Sequence, residues 1–132
     1  NSHYYSMSWK QGTQAFPFGC TIESGILVKR IEAPDFASVT GADVYCPANT
    51  TNSVLLLDTD ETTTAGWADN TSYTAEIEFT PAGSTVTVTR DSDGVEITSF
   101  FVDDTTFTSG FFGSTTISQD NACVGPLFGA CL

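Results

Sequence analysis

The sequence predicts an all-β fold, a β-sandwich of jelly-roll type, on three observations. Apolar and polar residues alternate over 72–101, as a half-buried strand requires. Thr, Val and Phe are frequent, and these side chains fit a pleated sheet better than a helix. Short Gly/Pro/Asp clusters separate the alternating runs at regular intervals, and no dozen residues carry a 3.6-residue apolar stripe.

The elements follow in chain order. Residues 4–9 and 25–31 read as strands, and so do 53–57. The clearest pattern begins at Tyr73: Tyr73, Ala75, Ile77 and Phe79 share one face, and Thr74, Glu76, Glu78 and Thr80 the other. Pro81-Ala82-Gly83 turns the chain, and Val86 and Val88 then alternate with Thr85, Thr87 and Thr89. Asp91-Ser92-Asp93-Gly94 turns it again, which places Val95 and Ile97 on the buried face of a third strand. Residues 110–118 read as a closing strand. One short helical turn is expected within 35–43. Nothing in the pattern suggests a repeat or a linker, so residues 1–132 are expected to form a single domain.

Charge narrows the function. The 132 residues include 16 Asp and Glu against 4 Lys and Arg, a net charge of -12. Lys10, Lys29, Arg30 and Arg90 cannot build the basic patch that nucleic acid or an anionic membrane demands. The longest apolar run, Ile26-Leu27-Val28, is too short to span a bilayer. No nucleic acid and no membrane insertion are therefore expected.

Cys20, Cys46, Cys123 and Cys131 form an even set without the C-x-x-C spacing of zinc or redox sites. They read as two disulfides. Three pairings are open, and nearest-neighbour pairing, Cys20 with Cys46 and Cys123 with Cys131, is favoured because it closes two separate loops. Asn49-Thr50-Thr51 and Asn70-Thr71-Ser72 are N-glycosylation sequons in Thr-rich stretches that read as surface loops. Disulfides with an acidic, Ser/Thr-rich surface point to a secreted, extracellular protein.

Signals for catalysis are sparse. Glu76 and Glu78 project from one strand face, where a sandwich-type glycoside hydrolase could carry its two carboxylates. Their neighbours on that face are Thr74 and Thr80, so a solvated strand face is the simpler reading. His3 has no Ser or Cys partner at motif spacing, and no nucleophile elbow, phosphate loop or zincin motif occurs. No catalytic residue is expected.

Acidic loops are the better lead. Asp58-Thr59-Asp60-Glu61 and Asp103-Asp104 each bring carboxylates together, and calcium takes its oxygen ligands from irregular acidic loops of this sort. Asp58, Asp60, Glu61, Asp103 and Asp104 are the candidate calcium ligands. The Asp91 turn imitates the start of an EF-hand loop but lacks its later ligands, and it reads as a hairpin cap. Trp9, alternating with Tyr5 and Met7, reads as core. Trp67 stands at what looks like the beginning of a strand and stays open between core and a sugar-stacking surface.

Several segments resemble the thrombospondin C-terminal domain. Tyr4-Tyr5-Ser6-Met7-Ser8-Trp9-Lys10-Gln11-Gly12-Thr13-Gln14 is similar to its Tyr-x-x-x-Trp-Lys-Gln-x-Thr-Gln strand, and Gly25-Ile26-Leu27-Val28-Lys29 to its next strand. Gly66-Trp67 followed by Tyr73 matches its Gly-Trp…Tyr segment. Residues 106–119 match its closing strand, with an aromatic, spaced glycines and then Ser118-Gln119. Residues 19–52 depart, carrying Cys20 and Cys46. The resemblance implies a concanavalin-like jelly roll, rich in calcium, used extracellularly in adhesion. It also implies strands preceding residue 1, so the chain reads as the C-terminal portion of a larger domain, or as one completed by a neighbouring subunit.

The expected function is an extracellular calcium-binding adhesion or lectin-like module, non-enzymatic, with an extracellular protein or glycan as partner. The alternative is a structural subunit of a filament or matrix assembled by strand addition, since an open sheet edge templates such pairing. A secreted glycoside hydrolase is a minor alternative.

Overall fold

The computed structural model describes residues 1–15 and 19–109. The expected closing strand over 110–118 and the Cys123–Cys131 bridge lie outside the described residues. Strands β1 (Ser2–Lys10), β4 (Gly25–Ala33) and β5 (Ser53–Leu57) form one antiparallel sheet in the order β1-β4-β5. Strands β6 (Tyr73–Thr80), β7 (Gly83–Arg90) and β8 (Glu96–Val102) form a second, in sequence order. A two-residue pair, β2 (Gln14–Ala15) with β3 (Thr21–Ile22), makes the third.

Strand periodicity decides which faces meet. In the first sheet Trp9 stands opposite Ile26 and Met7 opposite Val28. In the second, Val86 and Val88 stand opposite Ile77 and Ala75 on one side and opposite Phe100 and Thr98 on the other. These two faces close on each other, so that Ile26, Val28, Val86, Val88, Phe100 and Val102 form one buried cluster. Trp9, Leu56, Leu57, Tyr73, Ile77 and Ile97 seal its margin. Burying each large apolar side chain contributes about 1.5–3 kcal/mol, which makes this interface the main source of cohesion between the sheets. Trp9 packs edge-on against Tyr73 at 4.8 Å, and its indole N–H donates to the Ala65 carbonyl at 2.9 Å. It joins the core, as its alternation suggests.

Two details of the meander differ from the sequence pattern. Phe79 and Ala75 lie on the core-side face of β6 but remain exposed, Phe79 at 68%. They sit on an edge strand, where none of the described residues covers them. Val95 is also exposed, and the buried positions of β8 are Thr98, Phe100 and Val102. An irregularity in register between Val88 and Thr89 shifts the parity of the strand, which leaves Ile97 half-buried at the margin. The segment around Trp67 is irregular and forms no strand.

A second layer covers the outer face of the first sheet. The expected helical turn divides into a 3-10 turn, Phe36–Ser38, and a short helix α1, Gly41–Tyr45. Thr40 caps α1 reciprocally: its hydroxyl accepts from the Asp43 N–H, and the Asp43 carboxylate accepts from the Thr40 N–H at 2.6 Å. Cys46, at the end of the helix, is joined to Cys20 with Cα atoms 5.8 Å apart. Lys29, fully buried beneath this layer, donates to the carbonyls of Cys46 at 2.9 Å and Ala48 at 2.8 Å. A cation thus substitutes for water in satisfying carbonyls at a helix end.

Candidate functional site

At the edge of the α1 layer lies a cleft of about 210 Å³, bounded by the end of β1, the β3–β4 turn, the loop after β5, and Tyr45 and Pro47 at the end of α1. The loop is built by its own polar groups. Past Leu57 the chain folds back in a single turn, with the Asp58 carbonyl accepting from the N–H groups of Glu61 and Thr62 at 3.1 and 3.2 Å. The Asp58 side chain accepts from the Thr59 N–H at 2.7 Å, and the Glu61 carboxylate reaches back to the Asp58 N–H at 2.9 Å. Such local side-chain bonds favour turns over continued strand. The turn is held to the sheets by Ile26 N–H donating to the Thr63 carbonyl at 3.1 Å and the Thr98 hydroxyl donating to the Thr62 carbonyl at 2.7 Å.

The cleft has an apolar floor and a charged rim. Ile22 and Leu27 are buried in the floor, while Glu23 and Asp60 are exposed at the rim with Asp58 half-buried beside them. Lys10 reaches the same space from β1. It is 9% exposed and donates to the Gln14 side chain, and burial lowers its pKa. Thr59, 5% exposed, also lines the cleft, and its hydroxyl makes no hydrogen bond among the described residues.

The remaining candidates are dispersed. Asp104 lies just past β8, at a junction between the sheets. Its carboxylate pairs with the Arg30 guanidinium, accepts from the Tyr5 hydroxyl at 2.6 Å, and accepts from the Thr106 N–H at 2.9 Å. Burial alone would raise this carboxyl, but the hydrogen bonds from Tyr5, Thr106 and Arg30 outweigh it and hold the pKa below its ordinary value. Arg30 also lies 3.2 Å from the Glu32 carboxylate through Nε. Asp103 beside it is exposed.

Among the described residues no three His, Cys, Asp or Glu side chains gather where a metal ion could sit. Asp104 is spent on a cation of the protein itself, and Asp58 and Glu61 each turn an oxygen back onto the loop's own backbone. Carboxylate and carbonyl oxygens of this kind are the donors that calcium takes.

Glu76 and Glu78 are exposed on the face of β6 away from the core, opposite Thr87 and Thr85. His3 is exposed and stacks on Phe107 at 5.6 Å. The Asp91 turn is a structural cap, with Asp93 paired to Arg90 at 2.7 Å and Asp91 accepting from the Thr74 hydroxyl at 2.8 Å. Asn49 and Asn70 are both exposed, Asn70 with a positive φ of 53° in the turn before β6. The Asn49 side-chain oxygen accepts from the Leu55 N–H at 2.7 Å.

Sequence reasoning singled out Asp58 and Asp60 but missed Lys10, Glu23 and Thr59 beside them. Their meeting depends on strand pairing: Lys10 stands opposite Gly25, which brings the β3–β4 turn and the loop after β5 to the same edge. No helix of the described residues is long and apolar enough to cross a membrane. No curated protein and no solved structure matches the chain significantly. The family model of the thrombospondin C-terminal region matches residues 1–132, the whole chain, and the protein belongs to that family.

Proposed function

We propose that this chain is a non-catalytic, extracellular adhesion module that recognises its partner through the cleft at the edge of the α1 layer. The observation that carries the reading is the acidic rim of that cleft, where loops from three elements meet on a rigid scaffold. Membership of the thrombospondin C-terminal family supports an extracellular setting. The Cys20–Cys46 bridge supports it independently, because such bonds persist in oxidising compartments.

Calcium dependence is the finer part of the proposal. It rests on family membership and on the carboxylates of Asp58, Asp60 and Glu61, which would need the turn to reopen around an ion. The test is adhesion of cells or matrix proteins to the immobilised chain, in calcium and in chelator. Adhesion above an unrelated acidic β-protein supports the module reading. Equal adhesion in both media removes its calcium component.

A structural filament subunit is the second reading. It is favoured by β1, a nine-residue edge strand of its sheet among the described residues. Sizing under native conditions decides it, since a monomer at micromolar concentration removes the filament.

A further inference from the structure

We infer that the cleft between β1, the β3–β4 turn and the loop after β5 is a receptor for the cationic side chain of a partner protein, an arginine or a lysine. The inference rests on the module reading and names the partner chemistry of that surface. Four observations support it.

The first is shape and composition. A cavity of about 210 Å³ suits a single long side chain, and the buried Ile22 and Leu27 offer an apolar floor for its methylene stem. The second is charge. Glu23, Asp58 and Asp60 line the cleft against a single cation, Lys10, and none of the three carboxylates makes an ion pair with a basic group among the described residues. Lys10 is drawn to the Gln14 side chain and buried, while Glu23 and Asp60 stand exposed. An entering cation therefore meets the rim carboxylates first.

The third observation is Thr59. Thr59 is 95% buried and lines the cleft, and its hydroxyl, with no hydrogen bond among the described residues, is free to accept one. A guanidinium, with five N–H donors in a planar fork, can reach a carboxylate and such a hydroxyl together. The fourth is the field of the whole chain. A net charge of -12 draws basic partners by diffusion and repels acidic ones, so charge complementarity favours a basic surface over an acidic or neutral one.

The test uses the isotope-labelled full chain and two neutral-backbone probes, N-acetyl-arginine methylamide and its uncharged isostere N-acetyl-citrulline methylamide, followed by amide chemical shifts. The arginine probe should produce saturable shifts clustered at residues 22–27 and 58–61. The citrulline probe should bind about tenfold more weakly, the loss expected when charge-assisted bonds become neutral ones. Asp58→Asn with Asp60→Asn should weaken the arginine probe by at least that factor. Asn keeps the oxygen that accepts from the Thr59 N–H, so the turn is preserved. Should the pair fail to fold, Glu23→Gln with Asp60→Asn replaces it, and the citrulline comparison needs no variant at all.

Equal binding of the two probes overturns the inference. So do arginine shifts of the same size at Asp91, Asp93 and Asp103, which would mean unspecific attraction to acidic loops. Local shifts from calcium chloride with none from the arginine probe overturn it as well. Absence of local shifts with adhesion intact removes this inference alone, whereas loss of adhesion with the shifts intact removes the module reading.

Discussion

Lys29 and Cys46 are joined at 2.9 Å, ammonium to carbonyl, beneath the layer that covers the outer face of the first sheet. Cys46 is also the anchor of the disulfide to Cys20, so one residue fastens the layer both to the sheet below and to the chain before β4. Burial lowers the Lys29 pKa, while the nearby Asp43 carboxylate pulls the other way. Lys29→Met keeps most of the stem and deletes the cation. The Ala42 carbonyl still receives the Cys46 N–H, but the Cys46 and Ala48 carbonyls lose a donor. Each such orphan costs about 1–3 kcal/mol, and relief from a buried charge offsets part of it, so the expected net loss is about 2 kcal/mol. Urea unfolding measures it, and a variant as stable as the parent would show that the carbonyls find water instead.

The disulfide makes a separate contribution through the unfolded chain. A bridge spanning 26 residues of sequence removes loop entropy worth about 3.5 kcal/mol. Cys20→Ser with Cys46→Ser should lower stability by roughly that amount. Combined with Lys29→Met, the losses should fall short of their sum, because both changes release the same segment. Additive losses would mean that the segment stays docked when either fastening is cut.

How much of this was legible beforehand differs by element. The edges of 53–57 and the alternation through Tyr73–Arg90 are properties of local residue order, and they are visible directly. The parity of β8 was not visible, because the irregularity that shifts it belongs to the pairing of two strands and has no signature in either alone. Lys29 could have been noticed: it shares a strand face with Leu27 and Ile31, both buried, so its charge needed an internal partner. The partner carbonyls, contributed from 13 to 19 residues away, could not. Acidity likewise marked Asp104, but its use as a partner for Arg30 depends on a contact across 74 positions.

Gly25 offers a test of the backbone at the cleft. Its φ of +110° lies in a region that side chains with a Cβ rarely adopt, and a Cβ there would collide with the Thr63 backbone. Gly25→Ala should therefore cost about 2–3 kcal/mol, from strain and displacement of the 58–65 loop together. Amide shifts should move at Thr63 and Thr64 more than anywhere in β7. A stable variant with unmoved loop resonances would contradict the close approach that shapes the cleft.

The Arg30–Asp104 pair sets the response to acid. Its side chains are 19% and 9% exposed, so the pair is mostly buried. Hydrogen bonds hold the folded Asp104 pKa below its unfolded value, which for an aspartate is about 3.9. A carboxyl depressed in this way contributes its stability in full above the unfolded pKa and loses it as pH falls through the folded one. Asp43 is shifted in the same direction: burial would raise it, but bonds from Thr50 and Thr40 outweigh that, so part of the acid sensitivity is its own. Asp104→Asn keeps an acceptor for Tyr5 and Thr106 but leaves the guanidinium only the more exposed Glu32 carboxylate as an ionic partner, at a cost of about 1–3 kcal/mol at pH 7. The gap between variant and parent should narrow as pH falls from 5 towards 3, because the parent loses the same charge by protonation. Urea midpoints at pH 7, 5 and 3.5 measure this, and a gap that stays constant across them would mean that the ion pair adds nothing beyond its neutral hydrogen bonds.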